Sequence, residues 1–361
     1  MFGEEALAAL SAEYAQLDSL SVFTPRDASM LNWNEKKEAL RTIDLIKKKR
    51  CGKVKGRSVV DGRDQREQYS KAETSSPAIT FESLIATFVV DAYEQRDVAT
   101  SDVSGAFLKA KQKDYVLLRL TGEALKAILR ANPDKYEKYV TMEGSVRVLY
   151  VQLLRAMYGT LTAAISWYTL FAETPMQMGF TLNPYDLCVA NKIVNGTEFT
   201  ICWYVDDVKL SHSDHREVTK MLKVLEGKFG ATSTTRGSKH TYLGVDFEIK
   251  QGRIELLMPE YIQECIDSFG EAINSNAGTP ANKNLFEIDE DAMVLDNEKA
   301  TIYHHIVQKL LHVCKRARVD IQVAIAFMCT RVRQPSIQDW QKLRRLLQYL
   351  RGTINMRRSY R

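Results

Sequence analysis

An α+β fold is predicted for this chain, on three observations. Apolar residues recur at helical spacing near both ends, segments in the middle alternate as strands, and short turns join neighbouring strands as hairpins rather than through helices. Near the start, Leu7, Leu10, Tyr14 and Leu17 recur at helical spacing, and Leu40, Ile43 and Ile46 repeat it, so residues 1–50 read as helical. Pro25 and the polar stretch to Asn34 make a loop between them. Residues 51–66 carry three glycines, many charges and a short Val59–Val60 core, which fits an exposed β-hairpin. Residues 78–95 form an apolar helix with Thr80 or Ser83 near its start. Val98 to Asp102 reads as a short strand closed by a turn at Ser104–Gly105, and Tyr115–Leu120 as a second strand. A charged helix is expected over 123–139 as an insertion, then a strand over 147–152 and a helix over 153–179. Glu198–Tyr204 and Val208–Ser211 are predicted to pair across Asp206–Asp207. A helix over 215–229 buries Val218, Met221, Leu222 and Leu225, and Tyr242–Ile249 pairs with Arg253–Leu257. Residues 274–284 are polar and breaker-rich, a candidate linker. From Tyr303 the tail is helical, with Ile337, Trp340, Leu343, Leu347 and Leu350 forming an apolar stripe that belongs in a core. No internal repeat is present.

At 361 residues the chain is long enough for two or three subdomains. Hydrophobic content of 45% and charged content of 26% are those of an ordinary globular protein, which excludes wholesale disorder. Net charge is only +5, but the basic residues cluster: Lys47 to Arg57, then Lys315, Arg316 and Arg318, then Lys342 to Arg358. A single cluster is ordinarily a solvated face; three in one chain point toward phosphate contacts. None of the six cysteines forms a C-x-x-C pair, so a zinc ribbon or redox motif is not expected, and the thiols read as reduced in an intracellular protein. His304, His305, His312 and Cys314 lie close in sequence but match no strong zinc spacing. No apolar run approaches the ~18–20 residues that a membrane span needs.

The strongest local signal is Tyr204-Val205-Asp206-Asp207. Turns accept Asp readily. Here, however, the carboxylates are flanked by Phe199, Ile201 and Trp203 on one strand and by Val208 and Leu210 on the other. The tip of a buried hairpin is a costly place for two like charges, and a divalent cation removes the cost. Asp102, at the end of its own short strand, is the best third carboxylate, although it could equally cap the next turn. Were that strand to pair beside the hairpin, roughly 4.8 Å away, Asp102 and Asp206 could share two metal ions and support nucleotidyl transfer.

These residues resemble the reverse transcriptases of copia-type LTR retrotransposons. Tyr204–Asp207 is similar to the family's Y-V-D-D box. Asp102-Val103 followed by Gly105-Ala106-Phe107-Leu108 resembles its D-V-x-x-A-F-L box, and Met157-Tyr158-Gly159 with Trp167-Tyr168 its L-Y-G … W-Y segment. Tyr242-Leu243-Gly244 is similar to the F-L-G box that contacts the primer, and Lys55-Gly56-Arg57 with Val59-Val60 to the K-A-R-L-V segment of the fingers. Arg316–Ile321, then Arg331, Pro335, Trp340 and Leu350–Thr353, follow the family's segment between thumb and RNase H, so the resemblance covers nearly the whole chain. Boxes in this order are far more specific than Y-V-D-D alone.

The resemblance implies a right-hand polymerase with an antiparallel palm sheet and a helical C-terminal tail. Residues 1–40 would be a helical lead, 41–245 interleaved fingers and palm, 246–300 a thumb-like region and linker, and 301–361 a helical connection segment. It further implies extension of a DNA or RNA primer on an RNA template, using dNTPs and two Mg2+ ions, for which Mn2+ could substitute. Asp102, Asp206 and Asp207 would hold metal with the backbone carbonyl of Val103, Asp207 in a supporting role. Phe107 would lie under the incoming sugar and collide with a ribose 2′-hydroxyl, its alternative being ordinary packing. Arg57 would clasp the triphosphate, with Lys55 and Lys53 weaker candidates; Tyr204 and Gly159 would adjoin the nucleotide, and Tyr242, Leu243 and Gly244 the primer. Two departures stand out: Thr160–Ile165 replaces the family's Lys-Gln-x-Pro-Arg run, and Val319 stands where the family has Pro. No protease box and no integrase-type His/Cys arrangement is present, and no room for an RNase H domain follows Arg361, so the chain is expected to be the polymerase region alone, a processed piece or a remnant frame. The cytoplasm, within an assembling particle, is the expected location, and oligomeric state is left open.

Overall fold

The computed structural model describes residues 3–48, 52–230 and 232–361. It is α+β, with hairpin-built antiparallel sheets, helices interspersed among the strands and a helical run near the C-terminus. A six-stranded sheet has the order Thr232–Arg236, Asp97–Val103, Asp207–His212, Thr197–Tyr204, Asp186–Val194, Thr181–Asn183. A four-stranded sheet is built on Val146–Leu153, which pairs with Phe23–Arg26, Leu117–Leu120 and Thr141–Glu143. Another runs Lys239–Tyr242, Val245–Lys250, Arg253–Leu257, Arg358–Tyr360. No helix among the described residues is long and apolar enough to cross a membrane.

The chain divides into two compact units, Met1–Thr80 with Ser101–Lys209 and Thr219–Ser233, and Phe81–Thr100 with Leu210–Val218 and Thr234–Arg361. In the first, the helix Glu4–Ser19 buries Leu10, Tyr14 and Leu17, the predicted stripe, in a core with Val60, Leu118, Ile128 and Leu149. Each such side chain contributes about 1.5–3 kcal/mol of burial. The helix Gly122–Ala131 joins the same core through Ala124, Leu125, Ala127 and Ile128, and the rest of the expected 123–139 helix breaks into the short helices Pro133–Tyr136 and Glu137–Tyr139.

Three expectations are corrected here. Thr42–Lys48 is a strand, not a continuation of the N-terminal helix, and it pairs antiparallel with Val54–Val60 from Thr42↔Val60 to Lys48↔Val54. The paired strands thus lie within residues 42–60 instead of within 51–66, and residues 49–51 between them lie outside the described residues. The i, i+3 spacing of Leu40, Ile43 and Ile46 misled, because Thr and Ile are also strand formers and no cap opens a helix there. Its inner face, Gly56, Ser58 and Val60, is buried, whereas Lys55 and Arg57 are exposed. A Cβ on Gly56 would stand 2.8 Å from the Ala9 carbonyl oxygen, so helix and strand meet backbone to backbone. Second, the helix expected over 153–179 begins only at Ala163 and ends at Gln177. Gly159 breaks it, with φ of +94° and no room for a Cβ against the Val60 carbonyl. Third, a segment missed before it, Trp33–Glu38, is a short helix with a capping box between Asn32 and Glu35.

In the second unit Phe88 stacks on Phe247 with centroids 4.4 Å apart, and Phe269 on Trp340 at 4.3 Å. Helices Asn297–Arg316, Gln322–Arg331 and Ile337–Gly352 make the expected helical tail, with Trp340, Leu343, Leu347 and Leu350 buried and Ile337 exposed. The tail ends as a strand, Arg358–Tyr360, not as a helix. Between Asp267 and Asn297 the chain forms no helix or strand, and the candidate linker 274–284 lies within the second unit, not between the two units.

In two of the three basic clusters, several of the cations are engaged in contacts within the fold. Arg318 is buried, donating to Asp320 at 2.8 Å and to the Thr353 carbonyl at 2.9 Å, and Tyr349 completes the link to Asp320. That network explains why an R-V-D-I run and a G-T pair occur together in one chain. Along Ile337–Gly352, Lys342, Arg344, Arg345 and Arg351 tie down the 271–287 segment through Glu287, Glu271, Thr279 and Asn276. Lys47, Lys48, Lys53, Lys55 and Arg57 remain exposed on the N-terminal hairpin. Cys188, Cys202, Cys265 and Cys314 are buried free thiols, with Cys188 and Cys265 pushed up to about 12 by burial.

Candidate active site

The site is built on two neighbouring strands of the six-stranded sheet. Asp102 is the penultimate residue of Asp97–Val103, half-buried, and accepts from Ser104 Oγ at 3.3 Å. Gly105, at φ +68°, turns the chain into a short helix, Ala106–Lys109, that carries Phe107. The adjacent strand begins at Asp207, after a two-residue turn of Val205 and Asp206 that follows Tyr204. Val103 N–H donates to the Asp206 carbonyl at 2.9 Å, which brings the end of one strand beside the tip of the other.

Val205 has φ of +55°, a conformation costly for a β-branched residue. Trp167 holds it there, donating from Nε1 to the Val205 carbonyl at 2.6 Å. The indole is itself buried against Phe171 and Phe229.

The three carboxylates share one electrostatic field. Burial raises the Asp206 carboxyl above its ordinary range, the charge of Asp102 raises it further, and Arg57 offsets part of this. Asp207 is pushed up to about 6, first by burial and then by Asp206 and Asp102. Such a group of like charges suits a hard divalent cation, which takes oxygen ligands and cancels the repulsion. Among the described residues, however, no three His, Cys, Asp or Glu side chains converge closely enough to enclose an ion. The donor set fits magnesium in chemistry, and the oxygens must draw together to bind it.

Arg57 reaches this field from the hairpin. Its guanidinium carbon lies 3.9 Å over the Tyr158 ring, and the Phe107 ring stands 5.2 Å from Tyr158 at 49°. Phe107 is half-buried, packed against the cluster of Ala110, Ala156 and Ala163. Lys55 is exposed; burial raises the carboxyl of Glu13 above its ordinary range, and Lys55 and Arg57 offset part of this. Gly159 is a packing point: Val60 N–H donates to the Tyr158 carbonyl at 2.7 Å, and a side chain on Gly159 would collide with that strand. The departure segment turns inward, with Thr160 Oγ1 bonded to the Met157 carbonyl at 2.9 Å and Thr162 buried before the helix Ala163–Gln177.

Tyr242, Leu243 and Gly244 lie in the second unit. Tyr242 is 2% exposed, whereas Leu243 and Gly244 form a two-residue turn closed by the Tyr242↔Val245 pair. Sequence reasoning missed two participants. Tyr158 stood beside the singled-out Gly159, and the packing that makes it the link between Arg57 and Phe107 has no sequence signal. Trp167 was quoted only as part of a motif; an aromatic with a polar N–H in an otherwise apolar helix was the available hint.

The family model of the reverse transcriptase (RNA-dependent DNA polymerase) matches residues 33–283. The chain belongs to this family. It is 22% identical over 306 residues to the retrovirus-related Pol polyprotein from transposon TNT 1-94 of Nicotiana tabacum, covering 83% of this chain and 22% of that protein. It is 23% identical to the corresponding polyprotein from transposon RE2 of Arabidopsis thaliana, covering 83% of this chain and 19% of the relative. To the transposon Ty1-LR2 Gag-Pol polyprotein of Saccharomyces cerevisiae it is 21% identical, covering 88% and 17%. These relatives make it a reverse transcriptase region of the copia-type LTR retrotransposon kind. The chain spans about a fifth of the length of such polyproteins.

Proposed function

We propose that this reverse transcriptase region is an RNA-directed DNA polymerase that extends a primer on an RNA or DNA template by two-metal nucleotidyl transfer. The observation that carries the reading is the Val103–Asp206 hydrogen bond, which sets Asp102 beside Asp206 and Asp207 at a hairpin tip held by Trp167. In this reading the chain is a right-hand polymerase, with residues 41–245 as fingers and palm, 246–300 as a thumb-like region and 301–361 as a connection segment. It works in the cytoplasm, within an assembling particle.

Asp102, Asp206, Asp207 and the Val103 carbonyl would hold two Mg2+ ions, or Mn2+ in their place. Ions held by these residues would supply acidification of a primer 3′-hydroxyl and neutralisation of charge on the leaving pyrophosphate. The chain's own residues do the rest. Arg57 presents planar N–H donors to the triphosphate, which suit paired phosphate oxygens better than an ammonium does. Phe107 occupies the space a 2′-hydroxyl would need. Tyr204 and Gly159 adjoin the nucleotide, and Tyr242, Leu243 and Gly244 the primer strand.

A second reading is a retroelement remnant that binds nucleic acid without chemistry. The inward-turned Thr160–Ile165 segment favours it, since the family's basic run is lost there. Primer extension on poly(rA)–oligo(dT) with dTTP and Mg2+ separates the two. Extension by the native chain, lost in Asp206→Asn, is the expected result. A folded native chain that binds primed template but never extends it would leave the remnant reading standing.

A further inference from the structure

Tyr158 touches both groups assigned above to the nucleotide. Its ring carries the Arg57 guanidinium on one contact, at 3.9 Å, and faces Phe107 on another, at 5.2 Å. Its backbone is fixed from the same strand that bears Arg57, by the Val60 N–H to Tyr158 carbonyl bond and by the absence of any side-chain space at Gly159. Ring and arginine are therefore set against one another by one short piece of hairpin.

Arg57 is exposed, and a free arginine on a strand samples many rotamers that phosphate binding would have to freeze. Stacking on an aromatic face removes much of that freedom in advance. It also leaves the N–H donors of the guanidinium edge that do not face the Tyr158 hydroxyl open to oxygen acceptors. On its other contact Tyr158 bears on Phe107, which packs with Leu170 against the small side chains of Ala110, Ala156 and Ala163. A ring seated on alanines has room to yield unless something larger braces it.

We propose that Tyr158 is a positioning residue with two outputs: it pre-orders Arg57 for the nucleotide triphosphate, and it braces Phe107 against the ribose 2′-hydroxyl. This rests on the polymerase reading. It predicts that loss of one ring alters both nucleotide affinity and sugar choice, which packing alone would not do.

The test uses the full chain and the variants Tyr158→Met, Tyr158→Phe, Arg57→Ala and Arg57→Ala with Tyr158→Met. Methionine keeps bulk and removes the aromatic face; phenylalanine keeps the face. Four quantities are measured on poly(rA)–oligo(dT): the KM for dTTP, the KM for primed template, the ratio of dTTP to UTP incorporation, and, with a dideoxy-terminated primer and Ca2+, the dTTP concentration that retains the primed template against a competitor trap. Tyr158→Met is expected to raise the dTTP requirement in both assays about tenfold, leave the KM for primed template unchanged, and lower discrimination against UTP about tenfold. Tyr158→Phe should return both to within about threefold of native. In the Arg57→Ala background Tyr158→Met should raise the dTTP requirement no further, yet still relax sugar choice. Native-like dTTP requirement and sugar choice in Tyr158→Met, or full additivity with Arg57→Ala, overturns the proposal alone. A native chain showing no dTTP-dependent retention overturns the polymerase reading and this inference with it.

Discussion

The Val205–Asp206 turn and the Leu243–Gly244 turn each join adjacent strands with two residues, and each opens with an apolar residue in the left-handed region, φ +55° at Val205 and +51° at Leu243. Their second residues differ. Gly244, at φ +74° with open space around it, gives a turn whose two positive φ values match the natural twist of a hairpin. Asp206 supplies a carboxylate instead, and the turn gains its support from elsewhere, through Trp167 to the Val205 carbonyl and Val103 to the Asp206 carbonyl. The first kind of turn is eased by its own glycine, although Leu243 stands in the same left-handed region as Val205. The second is imposed by tertiary hydrogen bonds, which frees its sequence for chemistry.

The largest effect that sharpens this contrast is on rate. Asp206→Asn should reduce primer extension on the order of 10³-fold, while its unfolding temperature in EDTA stays level or rises, because a buried like charge is gone. Next comes the external support. Trp167→Phe removes the hydrogen bond to Val205 and should cost about 1–2 kcal/mol in urea unfolding; a loss below a few tenths would mean the turn holds itself. Gly244→Ala should cost about 1 kcal/mol, from the positive φ alone. Conversely, Val205→Gly should stabilise by no more than about 1 kcal/mol, since relieved strain is offset by the entropy of glycine.

Proton linkage separates the turns as well. Asp207, raised from 3.8 to about 6, binds a proton more tightly folded than unfolded. Its contribution therefore favours the metal-free fold at low pH and is lost as pH rises through 4 to 6. Native chain minus Asp207→Asn, followed by urea unfolding at pH 4.5 and pH 7, should show the native chain losing relative stability at the higher pH. Equal differences at both values would remove the charge argument. No carboxylate stands in the Leu243–Gly244 turn to give a counterpart.

The same distinction governs what could be read from the sequence. The hairpin strands Thr197–Tyr204 and Asp207–His212 were legible because their apolar runs are local and flank an acidic turn, although the turn falls at Val205–Asp206 and Asp207 opens the second strand. The tail stripe was legible for the same reason, with Leu343, Leu347 and Leu350 fully buried. Thr42–Lys48 was not, since an i, i+3 apolar spacing in a short window serves a strand and a helix alike. The late start of Ala163–Gln177 was hidden because the glycine that interrupts it does so by touching Val60, far away in sequence. Basic clusters misled where the partners were carbonyls and carboxylates contributed by distant segments, as for Arg318 with Thr353 and Arg344 with Glu271.

The family match begins at residue 33, yet Gly56 rests against the backbone of Ala9 and Leu10, and Tyr14 Oη bonds Ser58 at 3.0 Å. Anyone trimming this protein for expression at the homology limit would strip away the helix on which the hairpin lies. The fragment would uncover Gly56 and Ser58 and leave that part of the arginine-bearing strand without the helix that backs it. For cloning, the smallest useful piece is therefore set by a helix outside the recognisable region.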